Sequence, residues 1–297
     1  MYKKAYGIIE TLAPLHVGAT AGEESGNLNL IFRDQFTQTG ILPGSSIRGR
    51  LRSEMRLIDG EQAANYWYGD AAGSEQSEIN NESIIKFEYA SILWLPVFCP
   101  GQPIVWVTSP RLLQRYQRIA GDTVKINGKS LKEIEIPDPY TGSKNLKARE
   151  SQGKKTLFFN LGFLTINKTT DLSPWFPSGK EKPSVIVHDS DISMIHDMAL
   201  YRQSRVRLKP DQKVVEGGGF FNTEALPEGT ILVFPIAIRD DKSGKKWQPF
   251  NDTQTADIYL GGLESIGFGH CSLTLKGIGN GEQGTDNREQ MNKLRGF

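Results

Sequence analysis

Eleven residues, Leu42-Pro-Gly-Ser-Ser-Ile-Arg-Gly-Arg-Leu-Arg52, constrain the fold more than any other stretch of this chain. Pro43 and Gly44 signal a turn, and Ser45 or Ser46 is placed to cap the helix that follows over 45–58. Ile47, Leu51 and Met55 recur at helical spacing and give that helix a buried stripe. Arg48, Arg52 and Arg56 form a neighbouring cationic stripe, with Arg50 apart from it. Gly49 lowers helix propensity by roughly 1 kcal/mol against Ala, and its use is the missing side chain, which lets another backbone come close. A helix start with exposed N–H groups and nearby guanidinium groups attracts anions, phosphate above all.

Strand and helix signals interleave along the rest of the chain without strict alternation, which gives an α+β fold rather than a doubly wound sheet. Residues 5–18, 30–42, 84–95, 103–108, 184–188, 230–239 and 271–276 read as extended, with turns near Gly18 and Gly40. Ser109-Pro110 opens a helix in which Leu112, Leu113, Tyr116 and Ile119 face a core. Arg111, Arg115 and Arg118 make a second basic stripe on it. Residues 61–69 and 192–200 read as short helices, and Asp252 to Leu260 as a helix closed by Gly261-Gly262. Tyr201 to Lys209 alternates, with Arg205, Arg207 and Lys209 on one side, and Gly217-Gly218-Gly219 reads as a turn. Residues 19–29, 70–82 and 137–156 read as loops, and the polar tail from Gly277 as frayed.

Composition narrows the function. With 35 Lys and Arg against 34 Asp and Glu, the net charge of +1 argues against indiscriminate nucleic-acid binding, so any such site must come from local clustering. Cys99 and Cys271 make neither a disulfide framework nor a zinc pattern and read as buried thiols in a reducing compartment. No stretch has signal-peptide or membrane-span character, which places the protein in the cytoplasm with no membrane partner. Gly261 to His270 is neither a dinucleotide loop nor a P-loop. Gly267 and Gly269 bracket Phe268, either to lay backbone against a ligand while presenting one ring or to make a tight turn over a buried Phe. His16, His188, His196 and His270 lack metal-ligand spacing. His16 is open to a structural or an acid–base role.

The motifs Pro14-Leu-His-Val-Gly18 with Ile41 to Arg52, and Gly261-Gly262 with Gly267-Phe-Gly269, resemble the RAMP superfamily of CRISPR-associated proteins. Leu95-Pro96 through Pro110, Arg115-Tyr116, Arg205-Val-Arg207, Phe220-Phe221 and Glu224-Ala-Leu-Pro227 resemble, within it, the repeated backbone subunit of type III (Cmr- or Csm-type) effector complexes. The resemblance implies an RRM-like, ferredoxin-type core with insertions at about 70–82 and 137–156, in a single domain over 1–276 followed by a tail over 277–297. It implies a β-hairpin thumb near 201–221. It implies a guide-RNA-binding subunit that recognises complementary target RNA, in company with other effector subunits and copies of itself stacked along the guide.

By the same resemblance His16, Gly44, Ser45, Ser46, Arg48, Gly49, Arg50, Arg52, Arg205, Arg207, Gly267, Phe268 and Gly269 are candidate RNA contacts. Active members carry an Asp just before the signature helix that supports target cleavage with a divalent metal (Mg or Mn). Here Asn29 stands at that place, and an amide is neither a base nor a hard anionic ligand. Asp34 is the nearest carboxylate and the candidate catalytic residue, with Glu23 and Glu24 upstream; a salt-bridging turn residue is the competing reading. No permanently bound cofactor is expected. An active target-cutting subunit, an endonuclease processing precursor guide RNA with His16 as acid–base, and a plain scaffold remain the alternatives.

Overall fold

The computed structural model describes residues 1–18, 28–70, 82–151, 153–160, 162–208, 215–240, 243–251 and 253–278. Glu23, Glu24, most of the 70–82 insertion and the tail beyond 278 lie outside the described residues, as do the side chains of Arg207, Leu208 and 215–221.

The chain opens with β1 (Tyr2–Thr11), β2 (Leu28–Asn29) and β3 (Ile41–Leu42), then α1 (Gly44–Asp59) and α2 (Glu61–Tyr68). Next come β4 (Ile85–Phe87), β5 (Ala90–Phe98), β6 (Ile104–Thr108) and α3 (Pro110–Ala120). Small strands follow: β7 (Lys125–Ile126), β8 (Lys129–Ser130), β9 (Thr141–Ser143), β10 (Arg149–Ser151), β11 (Lys154–Phe159), β12 (Gly162–Ile166), β13 (Lys168–Thr170) and β14 (Ser184–Ile186). The last third holds α4 (Ile192–Ala199), β15 (Tyr201–Leu208), β16 (Val215–Ala225), β17 (Ile231–Arg239), β18 (Thr255–Tyr259) and β19 (His270–Lys276).

One mixed sheet organises these elements, in the order β13-β9-β14-β6-β5-β17-β1-β19-β18, with β3 on β5 and β4 on β17. Its central strands alternate between two cores. Ala5 and Ile9 of β1 and Leu232, Phe234 and Ile236 of β17 pack with Ile47, Leu51 and Met55 of α1. Tyr6, Ile231 and Val233 pack with Leu113, Tyr116 and Ala120 of α3. Helices α1 and α3 therefore cover opposite faces of the sheet. Burying the three α1 side chains contributes roughly 1.5–3 kcal/mol each, which outweighs the weak propensity of Gly49.

Four expectations fail. The helix expected over 252–260 does not form: Thr255 to Tyr259 pair in register with Thr274 to His270 of β19, and that ladder overrides the local signal. Gly217 to Gly219 lie inside β16, beside the register shift at Val206/Leu208, where a flexible residue accommodates the irregularity. Residues 137–156 are not one loop, since β9 joins the main sheet and β10 pairs with β11. The turn expected near Gly40 sits earlier, over Asp34 to Thr39, with Gly40 paired opposite Arg33. The alternating segment at Tyr201 does form one arm of a β15–β16 ribbon. Cys99 and Cys271 are both buried and free, and burial pushes the Cys271 thiol up to about 12. No helix among the described residues is long and apolar enough to cross a membrane.

Candidate nucleic-acid interface

Two motifs more than two hundred residues apart in sequence are hydrogen-bonded neighbours. The Gly262 N–H donates to the His16 carbonyl at 2.9 Å, and the Gly269 N–H donates to the Pro14 carbonyl at 2.9 Å. Any side chain at Gly261 or Gly269 would collide: a Cβ would lie 2.2 Å from the His16 carbonyl oxygen or 2.3 Å from that of Leu260, and φ is positive at both. The glycines let the two backbones touch.

Against this platform lies one side of α1. Ser46, Gly49, Arg50 and Ser53 share that side and face Val17, Gly18, Gly261, Gly262 and Glu264 across a groove of about 390 Å³. A Cβ at Gly49 would meet nothing within 4 Å, so the groove stays open there and the helix backbone is bared to it. The expected close approach at Gly49 is thus not made by this chain's own backbone. Gly44 has the opposite reason: a Cβ there would sit 2.4 Å from the Phe87 carbonyl oxygen, so the residue packs α1 onto β4.

The serines do not cap the helix. Pro43 holds the cap position, and Ser45 and Ser46 fall inside the first turn. The arginines divide by direction. Arg48 donates from Nε and Nη2 to the Tyr68 carbonyl, the former at 3.0 Å, and closes the C-terminal end of α2. Arg52 donates to Asn65 Oδ1 at 2.6 Å. Both hold α1 to α2, so their guanidinium groups do not line the groove as the sequence suggested. Arg50 does, bridging Glu54 at 2.7 Å and Glu264 at 3.5 Å. Arg56 is exposed.

Phe268 is buried at 3% exposure, edge-on to Tyr201 with centroids 5.9 Å apart, and the Arg205 guanidinium lies 4.9 Å over its ring. The ring is not offered to a ligand; the tight-turn reading of this loop is the correct one. Gly267 is open, with a Cβ meeting nothing within 4 Å. Arg205 also donates to Gln203 Oε1.

Asp34 is a turn residue. Its Oδ1 accepts from Phe36 N–H, Thr37 N–H and Thr37 Oγ1–H. Partial burial would raise its pKa, but these bonds and Arg111 outweigh burial and hold the carboxyl below its usual value. A group so held is a poor proton acceptor. Asn29 stands opposite Thr223 in the β2–β16 pairing, one residue from Glu224.

Glu224 belongs to a cluster that sequence reasoning missed. Its nearly buried carboxylate takes Arg202 at 3.1 Å and Arg33 at 3.3 Å, and Asp197 takes both arginines at 3.0 Å. Burial alone would raise the Asp197 carboxyl; the two guanidinium groups overcome that and lower it. Above the cluster the Glu224 backbone carbonyl lies 2.7 Å from His16 Nδ1. A carbonyl only accepts, so Nδ1 carries the proton, and among the described residues Nε2 of this buried ring makes no hydrogen bond. Nearby His196 is fully buried, accepts the Gly40 N–H on Nε2 at 2.9 Å, and is pushed down to about 3, chiefly by burial and then by Arg33. The cluster joins residues 33, 197, 202 and 224, and no local spacing signals it.

Among the described residues the donors do not fit a divalent cation. Both Glu224 oxygens are engaged by guanidinium groups, Asp34 Oδ1 is saturated, and the described residues contain no group of three metal-ligating side chains.

The family model of the RAMP superfamily matches residues 8–272. This chain belongs to the RAMP superfamily. This RAMP protein is 24% identical over 298 residues to the CRISPR system Cmr endoribonuclease Cmr4 of Pyrococcus furiosus, covering 93% of this chain and 97% of that protein. The CRISPR system CMR subunit Cmr4 of Saccharolobus solfataricus is 28% identical over 92 residues, 31% of this chain and 30% of the other. A chain of the type III-B Cmr-beta apo structure superposes with a TM-score of 0.64 at 20% identity, covering 92% of this chain and 97% of that one. Oligomeric Cmr4 from Pyrococcus furiosus gives 0.64 at 19% identity, over 93% and 98%. These likenesses establish the mixed α+β RAMP fold.

Proposed function

We propose that this RAMP protein is a backbone subunit of a type III CRISPR effector, gripping a guide RNA so that its bases pair with a complementary target RNA. The observation that carries the reading is the groove between Ser46, Gly49, Arg50 and Ser53 and the Gly261-Gly262 turn, open to a sugar-phosphate strand. The Cmr4 relatives and the Cmr-beta complex bound to cognate target RNA support it. Serine hydroxyls and Arg50 supply donors for phosphate without reading sequence, which is left to base pairing. Arg50 exchanges Glu264 for phosphate at small cost, since an exposed ion pair is worth about 0–1 kcal/mol. On this reading the sheet and its helices are an RRM-like, ferredoxin-type core in a single domain over 1–276, the β15–β16 ribbon is the thumb, 277–297 is a tail, and the neighbours along the guide are further copies and other subunits.

The test is a filter-binding salt titration of guide RNA with Gly49→Glu and Arg50→Ala. Gly49→Glu puts a carboxylate into the groove and should weaken binding by tenfold or more; Arg50→Ala should reduce the salt slope by about 1. Unchanged affinity and slope would remove the reading.

A second reading, cleavage of RNA, is favoured by the His16 tautomer. Nε2 can take the proton of a ribose 2′-hydroxyl as that oxygen attacks the adjacent phosphorus; the P–O5′ bond breaks and water protonates the leaving oxygen, giving a 2′,3′-cyclic phosphate and a 5′-hydroxyl. Asp34, fixed in its turn, takes no part, and no metal enters the step. Product ends from paired target and from repeat hairpin, with wild type and His16→Ala, test it; intact RNA in both substrates would leave the binding role alone.

A further inference from the structure

The second basic stripe, on α3, lines a pocket that the groove does not use. Its volume is about 620 Å³, ample for one nucleotide, and it lies on the α3 face of the sheet. Arg111, Arg115 and Arg118 reach it from one side of the helix. Arg115 is fixed before any ligand arrives: Nε donates to Ser91 Oγ at 2.8 Å, Nη2 donates to the Tyr89 carbonyl at 3.0 Å, and the guanidinium lies 4.1 Å over the Tyr89 ring. Nη2 also lies 3.9 Å from the exposed Glu88 carboxylate; among the described residues Nη1 has no hydrogen-bond partner and the side chains of Arg111 and Arg118 make no ion pair. The carboxylates at the rim are already engaged. Asp34 Oδ1 holds its own turn, and Asp189 Oδ1 accepts the Arg111 N–H at 3.0 Å. Three guanidinium groups line the pocket against these two carboxylates, and a third carboxylate, that of Glu88, lies outside the lining, so the lining itself carries one more positive than negative group.

Aromatic surface completes it. Phe36 is 74% exposed at the mouth, with Arg111 5.4 Å over its ring. A large ring held in water beside a cationic pocket suits a ligand that brings both an anion and a flat face to stack.

We propose that this pocket binds one unit of single-stranded RNA, its phosphate against Arg115 and Arg118 and its base on Phe36. The α1 groove lies across the sheet, so the unit bound here is not one that the groove holds, and the site stands or falls independently of the guide reading. An acidic peptide would satisfy the arginines but not the ring, and is the competing occupant.

The test is fluorescence anisotropy of fluorescein-labelled octauridylate with the full chain in the Gly49→Glu background, where the groove is blocked. Arg118→Glu and Phe36→Ala change exposed side chains and leave the core intact. Each should weaken the remaining binding about tenfold. In a second measurement, Phe36→Trp fluorescence should be quenched by uridine 5′-monophosphate but not by inorganic phosphate. Unchanged affinity in both variants, loss of all binding in the Gly49→Glu background alone, or stronger displacement by hexaglutamate than by unlabelled octauridylate would each overturn the proposal. Weakening by the α3 variants while Gly49→Glu alone has no effect on wild-type affinity would instead uphold this site and remove the groove.

Discussion

Arg48→Ala separates the roles of two arginines that sequence alone treats as equivalent. Arg48 donates twice to the Tyr68 carbonyl at the C-terminal end of α2, where backbone acceptors lack helical partners and the helix dipole favours a cation. Hydrogen bonds from a charged donor contribute about 1.5–3 kcal/mol. Tyr68 itself is fully buried, and its hydroxyl accepts the Trp247 indole N–H at 3.0 Å, so loosening this helix end disturbs the core behind it. Truncation should therefore lower the unfolding free energy by about 2 kcal/mol. With a urea m-value near 3 kcal/mol/M, the midpoint falls by roughly 0.5–1 M. The assay is urea unfolding followed by tryptophan fluorescence, paired with RNA binding under fully folded conditions. The folded variant should keep the wild-type salt slope, because the removed charge does not face the groove. An unchanged midpoint together with a slope reduced by about 1 would mean that Arg48 contacts phosphate and that the division of the arginines is wrong.

Three further outcomes follow from the core. Gly7→Ala sets a Cβ 2.1 Å from the Phe234 ring and should destabilise by about 1–3 kcal/mol in urea unfolding. Phe268→Ala empties a buried site under Tyr201 and should cost about 3–5 kcal/mol; a purely RNA-stacking ring would leave stability unchanged. His196 is neutral when folded, with its pKa pushed down to about 3 from 6.5, so the unfolded chain binds the extra proton in between. Its contribution is complete above about pH 6.5 and is lost as pH falls toward 3, so the urea midpoint should drop across that range. A midpoint flat from pH 7 to 4 would contradict the burial of this ring.

Much of the scaffold is legible locally. The Ile47-Leu51-Met55 stripe, the Pro110 helix start and the continuous apolar run of Ile231 to Ile238 each report their element, because one-sided burial leaves a period of 3.6, proline suits the first helical turn, and a strand buried on both faces is apolar throughout. Residues 252–260 mislead for the same reason that these succeed. The Gly261-Gly262 pair imitates a helix end, yet its demand comes from the His16 carbonyl lying against Gly261. The Arg33–Asp197–Arg202–Glu224 cluster left no trace, since pairing between distant residues has no period.

The order of residues along the chain determined that an arginine-bearing amphipathic helix would follow Gly44 and that glycines would return near residue 261, because turn chemistry and hydrophobic spacing act within a few residues. Folding decided what each charge does. Arg48 and Arg50 stand about 200° apart around one helix, so the packing of α2 on one side fixes the first as a clamp and leaves the second to the groove. The tautomer of His16 was decided in the same way, by a carbonyl that only the sheet brings to it.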